Sequence, residues 1–92
     1  MPRLGPFELI QKLGAGATAE VFLASGPNAR GEELLALKVM LPHLAEDETT
    51  RRAFLLEGRT AALLRHPNIV EVFEVGEVDG RGYLAMELVR GW

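Results

Sequence analysis

Cysteine is absent from this 92-residue chain, which removes disulfide frameworks and thiolate metal sites from consideration. Histidine is almost as scarce. His43 and His66 stand far apart with no second ligand beside either, which argues against a structural zinc. No apolar run approaches the roughly 20 residues that span a bilayer. The opening "MPRLGPFELI" has one positive charge, no long apolar stretch and no small-residue cleavage site, so it does not read as a secretory signal. Positive charge is not in excess either: 10 Lys and Arg face 13 Asp and Glu, a formal net charge of −3 with both signs mixed along the chain. That balance offers no basic stripe for nucleic acid and no polybasic anchor for a membrane. Low-complexity tracts and internal repeats are also missing, which excludes disorder and a solenoid. These absences leave a small cytoplasmic globular domain.

What is present fits that class, with 48% hydrophobic and 25% charged residues. A chain this short buries only about two-thirds of its unfolded surface, so its core is thin. In "FELIQKLG" (7–14) the apolar residues Phe7, Leu9 and Leu13 fall on odd positions, which predicts a strand with one buried face. "AEVFLAS" (19–25) is a second strand, "GPNARG" (26–31) a turn, and "EELLALKVM" (32–40) a third strand broken at Pro42. Asp47 offers an N-cap to a helix through "ETTRRAFLLEGRTAALLR", ended by Pro67. "NIVEVFEVGEV" (68–78) and "GYLAMELV" (82–89) are strands joined by the hairpin signal Asp79-Gly80. The order β-β-β-α-β-β predicts an α+β domain, a five-stranded antiparallel sheet with one long helix packed on it.

Gly14, Gly16 and Ala19 in "LGAGATAEVFLASG" (13–26) fit G-x-G-x-x-G/A, a spacing shared by dinucleotide-binding turns and by glycine-rich flaps over ATP. A dinucleotide fold needs a helix of about a dozen residues after the glycines. Here seven β-prone residues pass before Gly26-Pro27-Asn28, so two antiparallel strands joined by a glycine-rich bend fit better.

Lys38 is centred in the apolar "LLALKVM". Alternation puts it on one face with Ala36, while Leu35, Leu37 and Val39 take the other. An ammonium there either faces solvent or needs an anionic partner. On the helix, Phe54, Glu57, Ala61 and Leu64 lie close to one stripe, which would set Glu57 on an apolar face. Alternatively the inward stripe is Leu56–Leu63 and Glu57 is solvated. Leucines surround this helix, and periodicity leaves both settings open.

Taken together, these stretches resemble the N-terminal lobe of a eukaryotic-type protein kinase, most closely the bacterial serine/threonine kinases. "LGAGATAEV" is similar to the family's glycine-rich loop, "LALK" to its V-A-I-K strand, "FLLEGRTAALLRHPNIV" to its regulatory helix and following loop, and "YLAMELVRG" to the strand entering the hinge. The resemblance runs from about Phe7 to Gly91. It implies that Leu13, Gly14, Ala15, Gly16, Ala17, Thr18 and Ala19 form the loop over the ATP phosphates. Val21 and Ala36 would cover the adenine. Lys38 would hold the α- and β-phosphates and Glu57 would orient Lys38. Met86 would be the gatekeeper, and Glu87 and Val89 would present backbone groups to the adenine edge. Ala61 and Val72 resemble part of the internal apolar spine.

ATP and Mg2+ are the implied cofactors, with the metal ligands in the C-lobe that would follow, and proteins are the implied substrates. The H-R-D and D-F-G motifs do not occur before Trp92, so the chain is expected to be catalytically incomplete by itself; a non-catalytic kinase-like module is the alternative. An exposed apolar strip at Tyr83 to Val89 and Trp92 is expected to favour self-association. The helix carrying Glu57 is expected to be the least secure element. Gly58→Ala is expected to stabilise it by about 0.4–1 kcal/mol if a methyl fits there.

Overall fold

In the computed structural model, residues 3–27, 34–63 and 72–88 are described. Strands β1 (Arg3–Leu4), β2 (Phe7–Ala15), β3 (Ala19–Ser25) and β4 (Leu35–Met40) are followed by a one-turn helix α1 (Pro42–Ala45) and the long helix α2 (Glu48–Leu63). The hairpin β5 (Val72–Val78) and β6 (Arg81–Met86) comes last. Neighbouring strands pair antiparallel in the order β1-β2-β3-β4-β6-β5.

The α+β class and the long helix agree with the sequence. The strand count differs by one, because Gly5 turns the chain with φ 56 and folds Arg3–Leu4 back onto β2. Two residues are too few to show alternation. Pro42 ends the third strand, as expected, but also opens α1 from the first helical position, where its missing N–H costs nothing. Asp79 and Gly80 carry φ values of 52 and 77, the left-handed pair that a two-residue hairpin turn requires. His66 to Val70 and the stop at Pro67 lie outside the described residues.

Strong curling closes the sheet on itself. Phe7 on β2 and Tyr83 on β6 stand three strands apart, about 14 Å across a flat sheet, yet their rings meet edge-on with centroids 5.2 Å apart. Val78 on β5 packs against the Gly5 turn, so the two edges of the sheet approach each other. Leu35, Leu37, Val39 and Ala85 are wholly enclosed inside the curl, with Phe7 beside them. Tyr83 to Ala85 are buried because β6 is an interior strand, so the expected apolar strip is not exposed there. Val89 and Trp92 lie outside the described residues.

The Tyr83 hydroxyl donates to Glu74 Oε2 at 2.5 Å. Burial, reinforced by that carboxylate, pushes its phenol up to about 12. Below pH 10 the folded and unfolded chains both keep the proton. Between pH 10 and about 12 only the folded chain keeps it, so stability should fall as pH rises through that window. Tyr83 is the one tyrosine in the sequence. Tyr83→Phe should therefore flatten the decline seen in urea denaturation between pH 10 and 12, and parallel curves for the two proteins would count against this assignment.

Helix α2 starts as the sequence predicts. Asp47 Oδ1 accepts from the Thr49 N–H at 3.3 Å and Oδ2 from the Thr50 hydroxyl at 2.5 Å. The Thr50 hydrogen bond holds the Asp47 carboxyl below its usual range. The helix faces inward through Phe54, Leu55 and Gly58. Phe54 and Leu55 press on β6 at Gly82, where a Cβ would come within 2.9 Å of Phe54 Cδ1. Gly58 is buried, and a methyl there would collide with Leu84 Cδ2 and touch Val75 Cγ2 at 3.4 Å. The condition for a stabilising Gly58→Ala is therefore not met: that side of the helix already touches the sheet.

Candidate functional site

Register builds the site. Cross-strand partners share a face of the sheet, so one row runs across five strands: Gly14 on β2, Val21 on β3, Lys38 on β4, Leu84 on β6 and Val75 on β5. Beside it runs a second row of Leu23, Ala36, Met86 and Val72. Both rows lie on the face opposite the curled core. Helix α2 covers one end through Gly58, above Leu84 and Val75. At the other end Gly14 is open, and a Cβ there would meet nothing within 4 Å. Lys38 is halfway along.

Each part of this face has a local cause. Lys38 is half-buried in a strand whose alternate residues Leu37 and Val39 are fully enclosed, so core packing fixes its direction. Ala36 is buried and small, leaving a shallow floor between Leu23 and Met86. Residues 10–18 of β2 and its bend are exposed. The bend is tied back by Gly16 N–H to the Ala19 carbonyl at 2.8 Å and by Leu41 N–H to the Thr18 carbonyl at 2.9 Å. Lys12 and Glu20 form an ion pair at 2.6 Å along its flank.

Neither Gly14 nor Gly16 has a positive φ; a Cβ at Gly14 would meet nothing within 4 Å, and one at Gly16 only the Ala19 carbonyl at 3.8 Å. Folding does not explain them, and the open space above them suits a ligand that approaches the backbone. Ala19 is buried without positive φ, so replacing the pattern's last glycine introduces no backbone strain.

The structure brings Leu13, Gly14, Ala15, Gly16, Ala17, Thr18, Ala19, Val21, Ala36, Lys38 and Met86 to this face or to the bend at its edge. Glu87 follows β6 directly, and Val89 lies outside the described residues. Glu57 is not brought in. It is exposed, with no ion pair to Lys38 among the described residues. Successive helical residues are turned by about 100°, so with Gly58 against the sheet Glu57 points well away from the contact. Leu56 is 64% exposed, so the alternative inward stripe is not adopted either. The sequence signal that could have found the true setting is Gly58 itself, a helix glycine suited to close approach.

Two residues outside the expected set also hold this region. Arg81 donates from Nε and Nη2 to the Met40 carbonyl at 3.0 and 2.7 Å. Arg51 bridges the Ala45 carbonyl and the Glu77 carboxylate.

The family model of the protein kinase domain matches residues 7–92. The chain is 43% identical over 88 residues to the tyrosine-protein kinase MasK of Myxococcus xanthus, covering 95% of this chain and 14% of that protein. It is 41% identical over 85 residues to the serine/threonine-protein kinase PknI of Mycobacterium tuberculosis, again 14% of that protein and 92% of this chain. A crystal structure of the M. tuberculosis PknI kinase domain superposes with a TM-score of 0.73 at 38% identity, covering 96% of this chain and 35% of the solved one. The chain thus spans a small part of the relatives it matches.

Proposed function

This chain belongs to the protein kinase domain family, and from that premise we propose that it is the nucleotide-binding part of an enzyme that phosphorylates proteins. The row Gly14–Val21–Lys38, open at its glycine end, supports this reading most directly. The triphosphate of ATP lies under the β2–β3 bend, where the glycines admit it. The adenine rests on the shallow floor of Ala36, with Val21 beside it, Met86 behind, and backbone groups of Glu87 and Val89 at its edge.

Lys38 holds the α- and β-phosphates as a point charge. In the transfer, the acceptor hydroxyl oxygen bonds to the γ-phosphorus and the bond to the bridging oxygen of ADP breaks, so negative charge grows on the group Lys38 touches. The hydroxyl proton passes to a base outside this chain. Mg2+ supplies further neutralisation when bound. Among the described residues no cluster of His, Cys, Asp and Glu suits a metal, and we place its ligands in the rest of the kinase domain. That remainder would also cover the open groove of Ala53, Leu56, Glu57, Thr60 and Ala61 on α2.

Serine and threonine are the acceptors we favour, because PknI is named a serine/threonine kinase, although MasK is named a tyrosine kinase. We place the domain in the cytoplasm, where ATP is available. No described helix is long and apolar enough to cross a membrane.

Gly14→Ala tests the nucleotide site. Its methyl meets nothing and its φ is not left-handed, so stability should be unchanged or rise by up to about 1 kcal/mol. Nucleotide affinity should fall, because the methyl enters the space the phosphates use. Titration of the whole kinase domain with Mg·ATP, followed by calorimetry and thermal melting, reads both. Unchanged affinity in the variant would remove the phosphates from this bend.

A further inference from the structure

The peptide group between Met40 and Leu41 is held from both sides, by partners on opposite flanks of β4. Its N–H, on Leu41, donates to the Thr18 carbonyl at 2.9 Å. Its carbonyl, on Met40, accepts from Arg81 Nε at 3.0 Å and from Nη2 at 2.7 Å. β3 lies on one side of β4 and β6 on the other. One peptide thus joins Arg81 on β6 to the residue where the glycine-rich bend enters β3.

Both contacts stand where the strand ladders run out. Ala19 with Met40 is the last register pair of β3 and β4, and Val39 with Tyr83 the last of β4 and β6. Pro42 has no N–H with which to carry the pairing further. Arg81 supplies by its side chain what the β6 backbone does not. Its own pairing with Val78, directly after the Asp79-Gly80 turn, fixes it there. Met40 is wholly enclosed, so without Arg81 its carbonyl would lose partners that water cannot readily replace.

A guanidinium bonded twice to one oxygen polarises the amide and sharpens its N–H as a donor, since linked hydrogen bonds reinforce one another. The bond that gains is the one to Thr18. Residues 16–18 of the bend are exposed, so this rung bears directly on where the bend stands. The same two strands pair Val21 with Lys38 three residues further in. The rung therefore fixes the bend relative to Lys38. Arg51 holds the Ala45 carbonyl at the far end of α1, where it positions α1 rather than the bend.

We propose that Arg81 is a positioning residue for the phosphates of ATP, acting through the Met40–Leu41 peptide to hold the glycine-rich bend in its binding setting. The effect on nucleotide binding rests on the function proposed above; the hold on the bend does not.

The test uses the whole kinase domain carrying Arg81→Met, Arg81→Lys, Leu41→Pro, or Arg81→Met together with Leu41→Pro. Methionine keeps an unbranched stem without donors, and lysine restores a charged donor. Leu41 has φ −62, which proline adopts, so Leu41→Pro deletes the N–H with little change of its backbone angle. Arg81→Met should raise KM for Mg·ATP about three- to tenfold, with a smaller change in kcat. Arg81→Lys should recover part of that loss. The Leu41 amide should exchange about tenfold faster in Arg81→Met, while those of residues 35–39 follow only the melting temperature. Leu41→Pro should raise KM at least as far, and adding Arg81→Met to it should raise KM no further, because the route is already cut. Effects that multiply in the double variant, or an unchanged KM in Arg81→Met, overturn the proposal. So does a merely structural outcome, in which exchange quickens across all of β4 and kcat falls with melting temperature. If the parent binds no Mg·ATP, the nucleotide reading fails separately and exchange decides. A Leu41 amide no faster than in the parent, relative to Leu37, then rejects the hold on the bend.

Discussion

Replacing Lys38 with methionine in the whole kinase domain is expected to lower phosphotransfer by about 100- to 1,000-fold, the usual loss when one preorganised charge contact to the reacting group is removed. The fold should barely notice. Lys38 is half-buried with no ion-pair partner among the described residues, and methionine retains a comparable unbranched stem. Its neighbours Leu37 and Val39 on the enclosed face, which hold β4 in the core, are untouched. Stability should stay within about 0.5 kcal/mol of the parent, as for substitutions away from buried polar networks. Phosphotransfer to a protein substrate and thermal melting measure the two effects. Near-normal turnover in a folded variant would take the phosphates away from Lys38 and with them the assignment of the whole row. A variant that binds Mg·ATP as the parent does but transfers nothing would instead restrict Lys38 to the transfer step.

Gly58→Leu is expected to be the most damaging single change to the fold outside the core strands. The helix comes so close to β6 that even a methyl at this position collides with Leu84 Cδ2, and Leu84 is itself 6% exposed with little room to move. Overpacking of this kind costs about 2–3 kcal/mol, which lowers the melting temperature of a domain this size by about 10–20 °C. Gly58→Ala should be milder. Its better helix propensity, worth about 1 kcal/mol, offsets part of the collision. The double variant Gly58→Ala with Leu84→Ala should recover part of what each loses alone, because the second change makes the space the first needs. Strict additivity of the two in a denaturant cycle would show that Gly58 and Leu84 do not compete for one volume. The exposed Arg59→Ala, one residue on, should change the melting temperature by only a few degrees.

Elements with a local chemical cause were legible in the sequence. Alternation from Phe7 gave the second strand to within a residue, and the segment 19–25 matches its strand end to end. Asp79-Gly80 needs nothing beyond itself to form a left-handed two-residue turn, and Asp47 needs only the next two threonines to cap the helix. The face carrying Ala36 and Lys38 followed from the two-residue period of a strand. Arg51 and Arg81 were not legible as positioning residues, since their partners are backbone carbonyls and a glutamate fixed only after folding. Their own neighbourhoods in the chain look like ordinary polar surface.

The amino-acid sequence by itself therefore determined which segments are strands and helix, where the chain turns, and that a lysine lies on one strand and two glycines at the bend between two others. The tertiary structure decided how the sheet curls and which way α2 is turned. Curling depends on a meeting between Phe7 and Tyr83, 76 residues apart, which no local pattern encodes. The turn of the helix depends on Gly58 and Gly82 letting two backbones approach. Phe54, Leu55 and Leu56 are consecutive apolar residues spread round the helix, so periodicity could not choose among the faces they offer. Close contact could, because only the side with no Cβ at residue 58 fits against Leu84, and that choice leaves Glu57 in solvent.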